Sequence, residues 1–302
     1  MNNMKKMALL LLLAAASNSA TAQNKVVLEV GTPYTITSAA EVSTSGGTVL
    51  YQWYRNGSKV EGAAGLSYTV PTEEAVGSNV KFQRAAYLEG CEERKFSNPF
   101  TITWCNLFLN GVCWADENVT QPGAFAARPD MYTEFYQWNQ PNVAWPVTGG
   151  VLADITWITN ITAPAWTSTP CPEGWRLPTS GELAALQNLP GDLGNRSGYW
   201  TIAGDRGNAV AGRFYGITAV RGQAGGCTLP SDMVGCIFLP AAGYRDRDTG
   251  TRYSQGSEGH YWGSNQYSIE LNTNGYRLRF SDTYTNAGSN TKAYGFTIRC
   301  VQ

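Results

Sequence analysis

A chain of 302 residues carries 22 basic and 23 acidic side chains, a formal net charge of −1, and only 15% charged residues. That balance supplies no basic face for phosphate and argues against nucleic acid as a partner. Low charge with few aromatics would read as disorder. Here 10 Trp, 16 Tyr and 10 Phe give ample apolar area for folded cores, and 33 Gly point to a loop-rich, mostly β chain.

The first elements in chain order are Lys5 and Lys6, an unbroken apolar run from Met7 to Ala16, and small residues ending in Ala20-Thr21-Ala22. This pattern predicts a secretory signal peptide over residues 1–22, cleaved after Ala22. The run falls short of the roughly 20 apolar residues that a spanning helix needs, no Cys follows the cleavage position, and no later stretch is long enough, so no membrane insertion is expected. Export predicts a secreted or cell-surface protein, with the periplasm as the other destination, and it predicts oxidised cysteines. There are seven, an odd number, none in a C-x-x-C pair and with a single His beside them. A Cys/His zinc site is therefore not expected, nor any other metal or cofactor.

Residues 23–103 read as short strands with turns between them. Val26 to Val30 and Tyr34 to Thr37 open the series. Thr48 to Tyr54 alternates, with Val49, Tyr51 and Trp53 on one face, and Asn56-Gly57 marks a tight hairpin turn. Ser67 to Val70, Val80 to Leu88 and Phe96 to Trp104 keep the spacing, which predicts an all-β sandwich. The phrases YQWYRNGSKVEGAAGLSYTVP, KFQRAAYLEGC and SNPFTIT resemble the immunoglobulin-like repeats of exported Bacteroidetes proteins. The resemblance implies a spacer. It departs from that pattern in lacking the inter-sheet Cys pair, since Cys91 falls just after a Leu88-Glu89-Gly90 turn.

Residues 104–302 read as a second domain. Leu107 to Trp114 is a hairpin around Asn110-Gly111. An aromatic-rich stretch with Phe135-Tyr136-Gln137-Trp138 precedes the one clear helix. Pro178-Thr179-Ser180 starts that helix, with Thr179 or Ser180 as cap and Glu182 in the first turn. Leu183, Leu186 and Leu189 form its buried stripe, and Pro190-Gly191 stops it. Strands are expected at Gly198 to Ile202, Cys236 to Leu239, His260 to Ser264, Tyr276 to Phe280 and Gly295 to Val301.

Five phrases in this domain, NGVCWADENV, FYQWN, CPEGWRLPTSGEL, IFLPAAGYRDRDTG…GSEGHYWGS and YGFTIRCV, together resemble the Fibrobacter succinogenes major paralogous domain family. That family is similar to C-type lectins and to the fold of formylglycine-generating enzymes. The resemblance implies an all-β Ig-like sandwich followed by an α+β C-type-lectin-like domain. It implies a bridge between Cys171 and Cys300 that closes the domain's ends. Cys227 and Cys236 suit a local loop staple. Cys91, Cys105 and Cys113 are left over, and both Cys105–Cys113 and Cys91–Cys105 remain open.

The search for chemistry finds little. There is no G-x-S-x-G and no H-E-x-x-H. His260, before an aromatic pair, is not assigned a catalytic role. Asp246-Arg247-Asp248-Thr249-Gly250 begins like a calcium loop, but Ser257 stands where such a loop ends in Glu, so it reads as a solvated turn. Glu92-Glu93 with Arg94-Lys95 reads as a charged hairpin face. Gln140-Pro141-Asn142 is similar to the sugar-site motif of calcium-dependent lectins, but it precedes the helix and no Trp-Asn-Asp follows, so calcium-dependent sugar binding is not expected.

From Gly263 to Lys292 the chain is rich in Asn, Ser, Thr and Tyr. Rigid amphipathic tyrosines with adaptable amides are the chemistry of antibody paratopes. The expected ligand-binding face is Asn265, Tyr267, Asn272, Asn274, Tyr276, Tyr284, Asn286 and Asn290, similar in composition to the variable faces of some lectin-like proteins. The reading is an exported, non-catalytic adhesion protein, not an enzyme, whose lectin-like head on an Ig-like spacer takes a protein or glycan ligand on a cell surface. A surface-filament subunit, with other subunits as partners, and a formylglycine-generating enzyme using Cys227 and Cys236 are the alternatives.

Overall fold

The computed structural model describes residues 25–29, 31–38, 47–71, 80–90, 92–147, 156–191, 197–216, 229, 235–268 and 272–302. The expected signal peptide, Cys91 and Cys227 lie outside the described residues. The chain divides into two compact units, Met1–Cys105 and Asn106–Gln302. Strands dominate both, and one short helix occurs among the described residues.

The first unit contains β1 (Lys25–Glu29), β2 (Tyr34–Thr37), β3 (Val49–Arg55), β4 (Ser58–Lys59), β5 (Ser67–Val70), β6 (Val80–Leu88), β7 (Lys95–Phe96) and β8 (Phe100–Cys105). Its larger sheet runs β1-β8-β6-β3-β4 with β7 beside β6, and β2 and β5 pair as a second sheet. Ile36 and Val70 from the small sheet meet Trp53, Val80, Phe82, Ile102 and Trp104 from the large one in a single core. Asn56 and Gly57 both take positive φ, as the two-residue turn joining β3 to β4 requires. Of the alternating set, Trp53 reaches the core, while Gln52 on the opposite face is also buried. Its amide donates to the carbonyls of Trp53, Val60 and Ala63, so the loop after β4 closes over it.

The second unit begins with β9 (Leu107–Leu109) and β10 (Val112–Gln121), joined by Asn110-Gly111 with both φ positive. β11 (Ala124–Phe125) and β12 (Tyr136–Gln137) follow, then helix α1 (Ser180–Gln187). The strands after it are β13 (Tyr199–Thr201), β14 (Gly212–Gly216), β15 (Cys236–Pro240), β16 (Tyr244–Arg245), β17 (Arg252–Tyr253), β18 (Gly259–Gln266), β19 (Asn274–Phe280), β20 (Thr285–Thr291), β21 (Gly295–Phe296) and β22 (Arg299–Val301). They make four small sheets: β11-β10-β22 with β9, β12-β21-β16-β17, β13-β14-β15 and β18-β19-β20.

Helix α1 starts where its residues dictate. The Thr179 hydroxyl accepts from the Glu182 amide, and the Glu182 carboxylate accepts from the Thr179 amide, closing a reciprocal cap. Leu183 and Leu186 enter a core with Trp114, Tyr215, Ile237, Leu239, Tyr261, Leu278, Phe280 and Val301. Cys171 and Cys300 are bonded to each other, tying the segment before the helix to the last strand. Cys105, Cys113 and Cys236 are also in disulfides.

Two expectations change. The strand expected from Gly295 to Val301 is broken: β21 pairs with β12 and β16, and β22 pairs with β10. Between them the Thr297 amide and hydroxyl both donate to the His260 carbonyl, and the Ile298 carbonyl accepts from Val119, so the chain crosses from one sheet to another. The polar stretch Thr285–Thr291 is a regular strand in seven-residue register with β19.

Buried cations hold the loops. Arg299 donates to Asn118 Oδ1 and to the carbonyls of Ala115, Asp116 and Phe238. Arg213 reaches the carbonyls of Ser197, Gly198, Ser281 and Asp282. Carbonyl oxygens from segments distant in sequence thus replace water around each guanidinium, which is what burial of a charge demands.

Candidate functional site

The sheet β18-β19-β20 separates the eight residues expected to form one face. Its register places Leu278 and Phe280 with Tyr261 and Ala287 on the side that packs on α1, and therefore Asn274 and Tyr276 on that side too. Arg277, Arg279, Asn286 and Asn290 lie on the opposite side. The two ends of β19, at about 3.3 Å per residue, are roughly 20 Å apart. The face is therefore two corners rather than one patch.

At the first corner Tyr267 is 48% exposed and its ring contacts Tyr276 at 5.4 Å. Asn272 is exposed and Asn274 half-buried. Asn265 has a structural task, since its Oδ1 accepts from the Ser180 amide at 2.7 Å at the start of α1. Asn290 accepts from the neighbouring Thr291 amide. The strand here carries Gly275 because Trp138 lies flat against it, where any Cβ would overlap the indole. Trp138 also meets Trp166 and Trp262, and the Lys292 ammonium sits 5.3 Å from its ring. Lys292 donates to the carbonyls of Ala163 and Asn272 and to Gln266 Oε1.

The second corner is centred on Glu258, one residue before β18. Its Oε1 accepts from Arg279 Nη2 at 2.6 Å and from the Tyr284 hydroxyl at 3.1 Å, and its Oε2 lies 3.0 Å from His260 Nε2. The His260 hydrogen bond, with help from Arg279 and against burial, holds the Glu258 carboxyl down at about 2. An ionised carboxylate only accepts, so His260 Nε2 carries the proton and Nδ1, which has no hydrogen-bond partner among the described residues, presents a bare lone pair. Burial pushes His260 down to about 4 despite Glu258, so the ring is neutral at pH 7.

Rings descend from the surface to this carboxylate. Tyr253, 49% exposed, meets Tyr244 at 5.9 Å; Tyr244 meets Tyr294 at 5.7 Å and the buried His260 ring at 4.9 Å; His260 rests on Phe296. The Arg279 guanidinium lies 5.0 Å from the Tyr284 ring. Arg277 Nη1 donates to the Asn286 carbonyl and to its Oδ1, and burial lowers the Arg277 guanidinium to about 10. Gly243 makes the corner possible. Its φ is +80°, a Cβ there would strike the Tyr253 carbonyl, and its amide donates to the Glu258 carbonyl.

Of the expected set, this corner takes Tyr284 and Asn286. It adds Tyr244, Glu258, His260 and Tyr294, which lie in the phrases that carry the family resemblance, and Tyr253 and Arg279, which were not among the expected site residues. The Asp246 carboxylate accepts from the amides of Asp248 and Thr249 and from the Thr249 hydroxyl, and Arg247 pairs with Asp248. Among the described residues no group of three or more His, Cys, Asp or Glu is placed to hold a metal ion. Cys236 is buried and disulfide-bonded. No described helix is long and apolar enough to cross a membrane.

Residues 230–301 match a family described as a domain of unknown function (DUF8237), a span that includes both corners. Comparison with curated proteins and with solved structures gave no match.

Proposed function

We propose that the chain is an exported, non-catalytic recognition protein, in which an immunoglobulin-like unit carries a C-type-lectin-like head of the major paralogous domain kind. The observation that supports this most is the ring-lined corner around Glu258. Tyr253, 49% exposed, and the half-buried Tyr244, Tyr284 and Tyr294 gather there with Arg279, and tyrosine and arginine are the residue types that dominate binding energy at interfaces. His260 and Glu258, the groups a general acid or base would draw on, are bound to one another and enclosed by rings. The ligand is a protein or glycan on a cell surface, and no metal or cofactor takes part.

The test is a binding screen. Full-length protein is immobilised and probed with panels of glycans and of surface proteins, then compared with variants Tyr244→Ala, Tyr284→Ala and the pair Tyr267→Ala/Tyr276→Ala. Loss of a detected ligand in any of these supports the reading. A protein that binds nothing in either panel, or whose binding ignores all the variants, contradicts it.

A filament subunit is the second reading. β1 is an edge strand held by parallel pairing with β8, the kind of position at which a strand from another copy can add. Concentration-dependent polymers of the purified protein that disappear when residues 25–29 are deleted would favour it.

A further inference from the structure

We infer that the corner formed by Tyr244, Tyr253, Arg279, Tyr284 and Tyr294 binds an acidic saccharide, a sugar ring bearing a carboxylate, by direct contacts and without a bridging cation. The inference rests on the recognition reading above and narrows its ligand to one class.

Three features of the corner set the chemistry. The first is charge. Arg277 and Arg279 balance the carboxylates of Glu258 and Asp246, but Arg279 is 38% exposed, whereas the Glu258 side chain is 18% exposed and already accepts from three side chains, and Asp246 is engaged by the amides of its own turn. The charge that an incoming ligand meets first is therefore the Arg279 guanidinium. Arg279 gives one N–H of its Nη2 to Glu258, and with its side chain this exposed the outer edge of the guanidinium keeps donor capacity for an incoming anion.

The second feature is mixed polarity. Beside those donors lie the Glu258 oxygens, which only accept, and the hydroxyls of Tyr244, Tyr284 and Tyr294, which do both. A ligand made only of acceptors, such as an aspartate or glutamate side chain, would meet Glu258 with like charge. Ring hydroxyls satisfy donors and acceptors together. The third feature is shape. Tyr253, Tyr244 and Tyr294 run inward in a chain of ring contacts, tilted by 34° and then edge-on at 76°, and the outermost ring, Tyr253, is 49% exposed and offers a flat apolar face with a polar tip. The C–H face of a pyranose is apolar and flat, and it covers such a ring while its hydroxyls point outward.

The arrangement is held in place before any ligand arrives. Glu258 accepts from three side chains, and Gly243 fixes the turn beneath it. Little ordering is left to oppose binding.

The test uses the full chain in buffer containing EDTA, with trigalacturonic acid and 3′-sialyllactose as acidic probes, galactotriose and lactose as neutral ones, and hexaglutamate as an acidic peptide. Calorimetry should show at least one acidic sugar binding about tenfold or more tightly than its neutral counterpart, weakening with added salt. Arg279→Met, which keeps the apolar stem, and Tyr253→Ala, on a half-exposed ring, should each weaken that binding about tenfold with the thermal transition retained. Equal binding of acidic and neutral sugars, preference for hexaglutamate, or binding unchanged in both variants overturns the inference. If the acidic sugars fail while a surface protein binds in the broader screen, only the inference falls. If nothing binds in either experiment, the recognition reading falls with it.

Discussion

The two corners of the β18-β19-β20 sheet share a composition and differ in construction. At the Tyr267 corner the exposed aromatic has one ring partner among the described residues, and Asn265 and Asn290 serve the backbone beside them. At the Glu258 corner the side chains meet one another: a carboxylate with three donors, a buried neutral imidazole, and rings in mutual contact. A polar, tyrosine-rich segment can therefore serve the backbone at one end and join a network of side chains at the other. What separates them is the kind of partner that arrives from distant segments: backbone groups and the Trp138 ring at the first corner, polar and aromatic side chains from β16, β17 and the residue before β21 at the second.

The sharpest way to break the comparison is Glu258→Ala. It removes the common acceptor of Arg279, Tyr284 and His260, and urea unfolding should show a loss of about 3 kcal/mol. A loss under about 1 kcal/mol would mean the corner is no better tied than its counterpart.

Acid comes next. His260 titrates at about 4 in the folded chain against 6.5 for a free imidazole, so the folded state resists its protonation. The stability this gives is complete above pH 6.5 and is lost as pH falls from 6.5 through 4, an effect of up to about 3 kcal/mol. Glu258, held at about 2 against 4.5, then loses its contribution as pH falls from 4.5 through 2. Both act in the same direction. His260→Gln should flatten the stability profile between pH 6.5 and 4, and an unchanged profile there would refute the role given to the imidazole.

Asn265→Ala should cost about 1 kcal/mol, because the Ser180 amide loses its acceptor at the start of α1. Its effect should appear as faster hydrogen exchange in the first turn of α1. Tyr267→Ala is the smallest, within about 0.5 kcal/mol, as expected of a half-exposed ring with one ring contact among the described residues. A larger loss would move Tyr267 into the framework.

Part of this was legible in the residues. Thr179 with Glu182 three positions on gives the helix start, and the two Asn-Gly pairs give their hairpins, because these signals are local. The resemblance to lectin-like domains supplied the Cys171–Cys300 bridge. β20 was not legible: Thr285–Thr291 has no apolar alternation, and pairing with β19 makes it a strand. Nor were the buried arginines, whose partners are carbonyls rather than acidic side chains. Arg213 reaches Ser281, and Arg299 reaches Phe238, with no charge pattern to mark either. The Glu258 corner was hidden for the same reason. Tyr244 and Tyr294 stand far apart in sequence and come together only when β16 and β21 pair.

The central claim is that recognition belongs to the Glu258 corner and not to the Tyr267 corner. The most direct measurement is an NMR titration of the isotope-labelled full chain with whichever ligand the binding screen returns. Shifts concentrated at Tyr244, Tyr253, Glu258, Arg279, Tyr284 and Tyr294, with Tyr267 and Tyr276 unmoved, are the predicted result. Shifts confined to Tyr267, Asn272, Asn274 and Tyr276 would contradict it.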